Sequence, residues 1–471
     1  MAIEFAHSPL LTFILALAAV ILLLVVWDLP AFVGLIIAAF FVGIINAVFV
    51  PDFAWADAAS RVAAAFGENM AGIGIPILMA AIIGKSMLES GSAQRVVRGF
   101  QSALGRENSD IALWGSSTVL AVPVFFDSVF YLMAPLARSM RARVGRDYTL
   151  FIVVVGAGAA TTHVFVPPTP GPLAVAAEIG VNLGMTILVG VATALPAAFL
   201  AGIVYGRWIN RRLDIPLRDT MATTTEELEE LANRNTSSLP GMFESLLPIL
   251  LAVVLVGALT FVNSFRDVLP TLEAIRPYVQ FIGNKNVALT IAAMAAAHTY
   301  YRHNDLDREE WTEELTEALR SGGNIAAITA AGGAFGALLA ASGIGDYITG
   351  VLAGIGIPLI VSAWLIAAIV RIAQGSATAA MLTTAGIMAP QVSQLDVHPA
   401  FLVMAIGAGG NIFSWYNDSG FWLVKEIGGL TIGETLRTWT ALTTIISLTG
   451  LVVTVVLSSV LPVVARILPF L

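Results

Sequence analysis

The run AAIVRIAQGSATAAM (367–381) sets an arginine among apolar residues, with no other charge within twenty positions of Arg371 on either side. An isolated guanidinium inside a membrane costs roughly a few kcal/mol at least, which makes such a residue a functional candidate by default. Two readings fit: Arg371 binds an anion directly, or it holds nearby backbone carbonyls in place. Two acids occupy comparable settings, Asp127 in VFFDSVF (124–130) and Asp418 in SWYNDSG (414–420). A carboxyl group in apolar surroundings can take up and release a proton near neutral pH. Each acid is therefore either a proton-coupling site or the partner of Arg371. Glu89 in LESGS reads instead as a solvated helix end.

His163 stands alone in an otherwise apolar crossing, whereas His298, His303 and His398 fall at ends or loops and His7 lies near the N-terminus. It opens HVFVPPTPGP (163–172), whose four prolines cannot continue a helix. There His163 touches a ligand, carries a proton, or braces the break. Gln374, Ser376 and Thr378 beside flexible Gly375 make a candidate carboxylate cradle. The competing reading is helix packing through small residues. Ser128, Asn411, Asn417 and Ser419 are neutral groups suited to hydroxyls. The candidate binding set is thus Ser128, His163, Arg371, Gly375, Ser376, Thr378, Asn411, Asn417 and Ser419. The coupling set is Asp127, Asp418 and His163.

These residues need elements to hold them. Of the 471 residues 57% are hydrophobic and 12% charged, with no cysteine. A soluble domain carries roughly twice that charged share. Runs such as LLTFILALAAVILLLVVW (10–27) supply the ~20 apolar residues of a bilayer crossing. An all-α polytopic membrane protein is expected, with about ten crossings near 9–27, 31–50, 70–88, 148–165, 186–206, 243–263, 286–300, 322–341, 401–423 and 438–464. Trp311, Leu315 and Leu319 in 301–320 suggest a separate amphipathic helix on the surface. Without cysteine, thiol catalysis and thiolate metal sites are excluded. No Walker A, strand-to-helix GxGxxG or HExxH occurs, so no enzyme activity, cofactor, metal or nucleic-acid partner is indicated.

The two membrane halves, 1–206 and 243–471, flank a polar linker at 207–242. Ser-Gly at 90–91 matches Ser-Gly at 342–343, and polar breaks follow each at similar spacing: VPVFFDSVF and AQGSATAAM, then HVFVPPTPGP and GNIFSWYNDSG. Matched interruptions in two halves point to a transporter built from repeats. Seven arginines flank the first break, while Arg371 is the sole cation of 344–400. By the positive-inside rule this gives two re-entrant hairpins of opposite polarity, near 111–136 and 358–392, a cytoplasmic linker and extracytoplasmic termini.

HVFVPPTPGP, VRIAQGSATAAMLTTAGIMAP (370–390) and NDSGFWLVKEIGGLTIGETLRTWT (417–440), in that order, resemble the gluconate permease family of gluconate:H⁺ symporters over most of the chain. Val164, Thr169 and FFDSVF depart from that family's usual pattern. The resemblance implies a proton-coupled secondary transporter for gluconate or a related sugar acid or hydroxy-carboxylate, in a bacterial inner membrane. It also implies a homodimeric, elevator-type scaffold and transport domain. Na⁺ coupling on the same fold is the alternative, and an intramembrane enzyme using His163 a more distant one.

Overall fold

The computed structural model describes residues 9–27, 29–51, 53–105, 108–122, 125–144, 146–218, 239–265, 272–354, 357–415 and 418–467. All regular structure among the described residues is helical. Seven helices there are long and apolar enough to cross a membrane: Ala31–Phe49, Trp55–Glu89, Tyr148–Ile179 (interrupted near its middle), Leu183–Asn210, Met242–Asn263, Arg308–Ala340 and Ile432–Val460. Three expected crossings fall short. The first apolar run is only Pro9–Leu24. Lys285–His303 is not among the seven, being alanine-rich and polar at both ends. The expected crossing 401–423 is two helices, Ala400–Gly410 and Ser419–Gly428.

A further correction concerns 301–320. No separate surface helix forms there, because Arg308–Ala340 is one continuous helix. Asp307 starts it, accepting the Glu309 and Glu310 N–H groups at 2.8 and 2.9 Å, while the Glu310 carboxylate accepts the Asp307 N–H at 3.1 Å. This reciprocal capping satisfies donors that a helix start otherwise leaves free. Gly322 and Gly323 lie inside the helix. A Cβ on Gly322 would stand 2.7 Å from the Ala81 Cβ, so this glycine serves close approach to the Trp55–Glu89 helix rather than a turn.

The two halves repeat one order of elements. Trp55–Glu89, Ser92–Leu104, Ser109–Leu120, Phe126–Val144, Tyr148–Phe165, Pro170–Ile179 and Leu183–Asn210 form the first. Arg308–Ala340, Ile344–Gly354, Leu359–Gln374, Ala377–Met388, Ala400–Gly410, Ser419–Gly428 and the final helix from Ile432 form the second. After the opening helix of each comes a left-handed glycine, Gly91 and Gly343, both at φ 78°. This conformation is open to glycine at little cost.

Tyr148–Phe165 runs through the core, with every residue buried except His163. The second hairpin packs on Arg308–Ala340 backbone to backbone. A Cβ on Gly386 would lie 2.6 Å from the Gly336 carbonyl carbon and 2.9 Å from the Ala337 nitrogen. Small residues at such crossings let membrane helices gain van der Waals contact.

Candidate functional site

Each interruption has a local cause. Val166 and Thr169 both precede prolines and are extended, at φ −115°, ψ 109° and φ −57°, ψ 147°. Proline disfavours the helical region in the residue before it, which ends Tyr148–Phe165. Pro170 then starts the next helix from its first position, where its missing N–H is not needed. Thr169 donates its hydroxyl to the Val166 carbonyl at 2.7 Å, so it shapes the break and does not line the cavity described below.

In the second hairpin Gly375 adopts φ 82° and its N–H bonds the Arg371 carbonyl at 2.9 Å, closing Leu359–Gln374. Extended Ser376 caps Ala377–Met388, its Oγ accepting the Ala379 N–H at 3.3 Å. Asp418 caps Ser419–Gly428, accepting the Gly420 N–H at 3.0 Å. Asp127 lies in the first turn of Phe126–Val144, where the helix dipole favours a negative charge.

All four interruptions meet at one cavity of about 250 Å³. The first hairpin contributes Phe125, Phe126 and Asp127, and the first broken helix Ala160, His163 and Pro170. The second hairpin supplies Arg371, Ser376, Ala377 and Thr378, and the second broken helix Asn411, Asp418, Ser419 and Gly420. Ile325, Ile328 and Thr329 of the long helix and Trp439 of the last helix close it. The candidates His163, Arg371, Ser376, Thr378, Asn411, Ser419, Asp127 and Asp418 are thus brought together, with Gly375 setting the turn beside them. Asn417 and the Ser128 side chain lie outside the described residues.

Arg371, only 3% exposed, donates Nη2 to Asp418 Oδ2 at 2.5 Å. Asp418 also accepts the Ser414 hydroxyl and the Gly420 N–H, so each of these three contacts is a donor to it. Asp127 has no ion pair among the described residues. Four atoms of cavity-lining residues are buried without a hydrogen-bond partner among the described residues: Arg371 Nε and Nη1, His163 Nδ1 and Asn411 Nδ2. Leaving a buried polar atom unpaired costs roughly 1–3 kcal/mol. Four on residues around one cavity make it the candidate binding site.

Trp439, Phe125, Phe126 and the long-helix residues were not among the sequence candidates. Trp439 falls inside the family-like stretch 417–440, the one signal that marked it. No cluster of three or more His, Asp or Glu able to hold a metal occurs among the described residues.

A helical membrane protein in which four interrupted segments surround a buried ion pair and unpaired donors has the architecture of a permease, not of an enzyme. The chain belongs to the GntP permease family, whose model, described as GntP family permease, matches residues 8–460. It is 34% identical to a gluconate permease of Pseudomonas aeruginosa, over 96% of this chain and 98% of that one. It is 32% identical to the Gnt-II system L-idonate transporter of Escherichia coli, over 96% of this chain and all of the relative. A high-affinity gluconate transporter of Escherichia coli is 30% identical over 94% and 98% of the two chains. The crystal structure of the Alcanivorax borkumensis YdaH transporter, described as having an unusual topology, shares the fold at a TM-score of 0.61. It covers 92% of this chain and 98% of its own at 14% identity.

Proposed function

We propose that the chain is a proton-coupled secondary transporter of a sugar acid such as gluconate or idonate, working in a bacterial inner membrane. The observation that carries this reading is the convergence of all four interruptions on a cavity holding Arg371 with two unpartnered donors. Arg371 would take the substrate carboxylate through the N–H groups that Asp418 leaves free, a charge-assisted contact of the kind guanidinium and carboxylate make well. Ser376 and Thr378 supply further hydroxyls to that anion, and His163, Asn411 and Ser419 serve substrate hydroxyls. The names of the bacterial relatives, gluconate and L-idonate transporters, support the substrate class.

Charge balance supports proton coupling. Asp418 already neutralises Arg371, so a bound carboxylate adds one uncompensated negative charge beside Asp127. A proton on Asp127 offsets it, and Asp127 is the cavity carboxyl with no ion pair among the described residues. Asp418 is assigned to holding Arg371. The hairpins are taken to open to opposite sides of the membrane, so that moving the cavity-bearing segments exposes one site to each side in turn.

The test is uptake of labelled gluconate by purified protein in liposomes. Accumulation under a pH gradient, acid outside, is expected, with none under a Na⁺ gradient alone. Asp127→Asn should keep gluconate exchange and lose the response to the pH gradient. Accumulation that follows Na⁺ and ignores pH would sink the proton reading, and movement of no sugar acid would sink the transporter reading.

A further inference from the structure

We infer that Trp439 and Ser414 are positioning residues for this cavity, fixing the Arg371 guanidinium through Asp418 and the first hairpin tip through Phe126. The inference rests on the transport reading above. It begins with hydrogen-bond polarity. The indole N–H only donates, and Trp439 Nε1 donates to Ser414 Oγ at 2.5 Å. A serine hydroxyl has one hydrogen, so with the indole bond accepted, that hydrogen goes to the Asp418 carboxylate. Asp418 Oδ2 in turn holds Arg371 Nη2. The direction of the whole chain, Trp439 to Ser414 to Asp418, is therefore set at its indole end. With Nη2 held, the guanidinium plane is set, and Nε and Nη1 remain without a partner among the described residues.

Ser414 is itself immobilised. Its carbonyl accepts the Thr440 hydroxyl at 2.5 Å and its N–H bonds Thr443 Oγ1 at 3.2 Å. These partners and Trp439 lie on one stretch of the last helix, where the chain passes through a π-helical turn at Leu436–Thr440. Such turns are frequent at functional sites because they re-aim side chains.

The indole ring performs a second task. It stacks on Phe126 with centroids 4.7 Å apart and planes at 30°, next in sequence to Asp127. A Cβ on Gly156 would lie 3.5 Å from the ring, and one on Gly420 would lie 3.4 Å from it. Trp439 thus touches the first hairpin through Phe126 and the second broken helix through Ser414, lies beside Gly156 of the first broken helix, and reaches the second hairpin through Ser414, Asp418 and Arg371.

Trp439→Phe keeps the stacked ring and removes the N–H, and Ser414→Ala removes the middle of the chain. Each is expected to raise the half-saturating gluconate concentration in liposomes by up to about tenfold, equivalent to ~1.4 kcal/mol. The double variant should be no worse than Ser414→Ala, because both changes cut one chain. A merely structural role would instead lower the yield of folded protein and leave half-saturation unchanged, and that result overturns the inference. Effects of the two variants that multiply also overturn it. Ser414→Ala alone decides the matter if Trp439→Phe does not fold. Arg371→Gln is run alongside. If wild type transports, Arg371→Gln does not, and Trp439→Phe and Ser414→Ala match wild type, the inference alone fails. Wild-type protein that moves no sugar acid fails both readings.

Discussion

Asp418→Asn separates the roles of the buried pair. The substitution keeps side-chain shape and an oxygen to cap Gly420, but removes the charge opposite Arg371 at 2.5 Å. Arg371 is 3% exposed and its partner 12%, so the guanidinium would be left buried and uncompensated. Breaking a buried pair at one end costs roughly 3–5 kcal/mol, and hydration from the cavity favours the lower figure. With unfolding entropy of roughly 2.1 cal/mol/K per residue, a chain this long loses about 1 °C of midpoint per kcal/mol. Thermal unfolding of detergent-solubilised protein should therefore fall by about 3–5 °C. Saturating gluconate should restore more of this loss than it adds to wild type, since its carboxylate replaces the missing counter-charge. Replacing both residues, Arg371→Gln with Asp418→Asn, should recover most of the stability and none of the transport. An unchanged midpoint in Asp418→Asn would refute the claim that this pair is a buried, mutually dependent unit.

Three further outcomes are expected. Gly386→Ala would place a methyl 2.6 Å from the Gly336 backbone, which no side-chain movement relieves, so overpacking costing roughly 1–3 kcal/mol should appear as a lower midpoint and poor monodispersity. Asn411→Ala removes a buried Nδ2 that has no partner among the described residues, so stability should stay within about 1 kcal/mol of wild type while gluconate binding by calorimetry weakens several-fold. His398 lies outside the membrane spans, and its Nδ1 accepts the Ala400 N–H at 3.1 Å. Burial holds this imidazole below its usual range, so on acidification the unfolded chain takes the proton first. Its contribution is complete above about pH 6.5 and is lost as pH falls further, a slope that His398→Asn should flatten in a midpoint-against-pH series.

Much of the site was legible because membrane chemistry makes it so. Arg371, Asp127 and Asp418 stand out wherever the surroundings are apolar, and prolines announce the break after His163. Seven of the crossings follow directly from hydropathy. What escaped the sequence depends on tertiary contact. The close approach of Gly322 to Ala81 is visible only with the two helices placed together. Trp439 is the sole aromatic residue between Trp422 and Phe470, which by itself assigns it no role, and only its neighbours Ser414, Phe126 and Gly420 distinguish it. That Asp418 pairs with Arg371, and Asp127 does not, became visible only with the two acids placed.

The most direct measurement is a high-resolution structure of the protein with bound gluconate. The acid is expected in the cavity between the four interruptions, its carboxylate on the Arg371 guanidinium, with the Arg371–Asp418 pair intact. A carboxylate bound away from Arg371, or an acid held outside this cavity, would contradict the assignment.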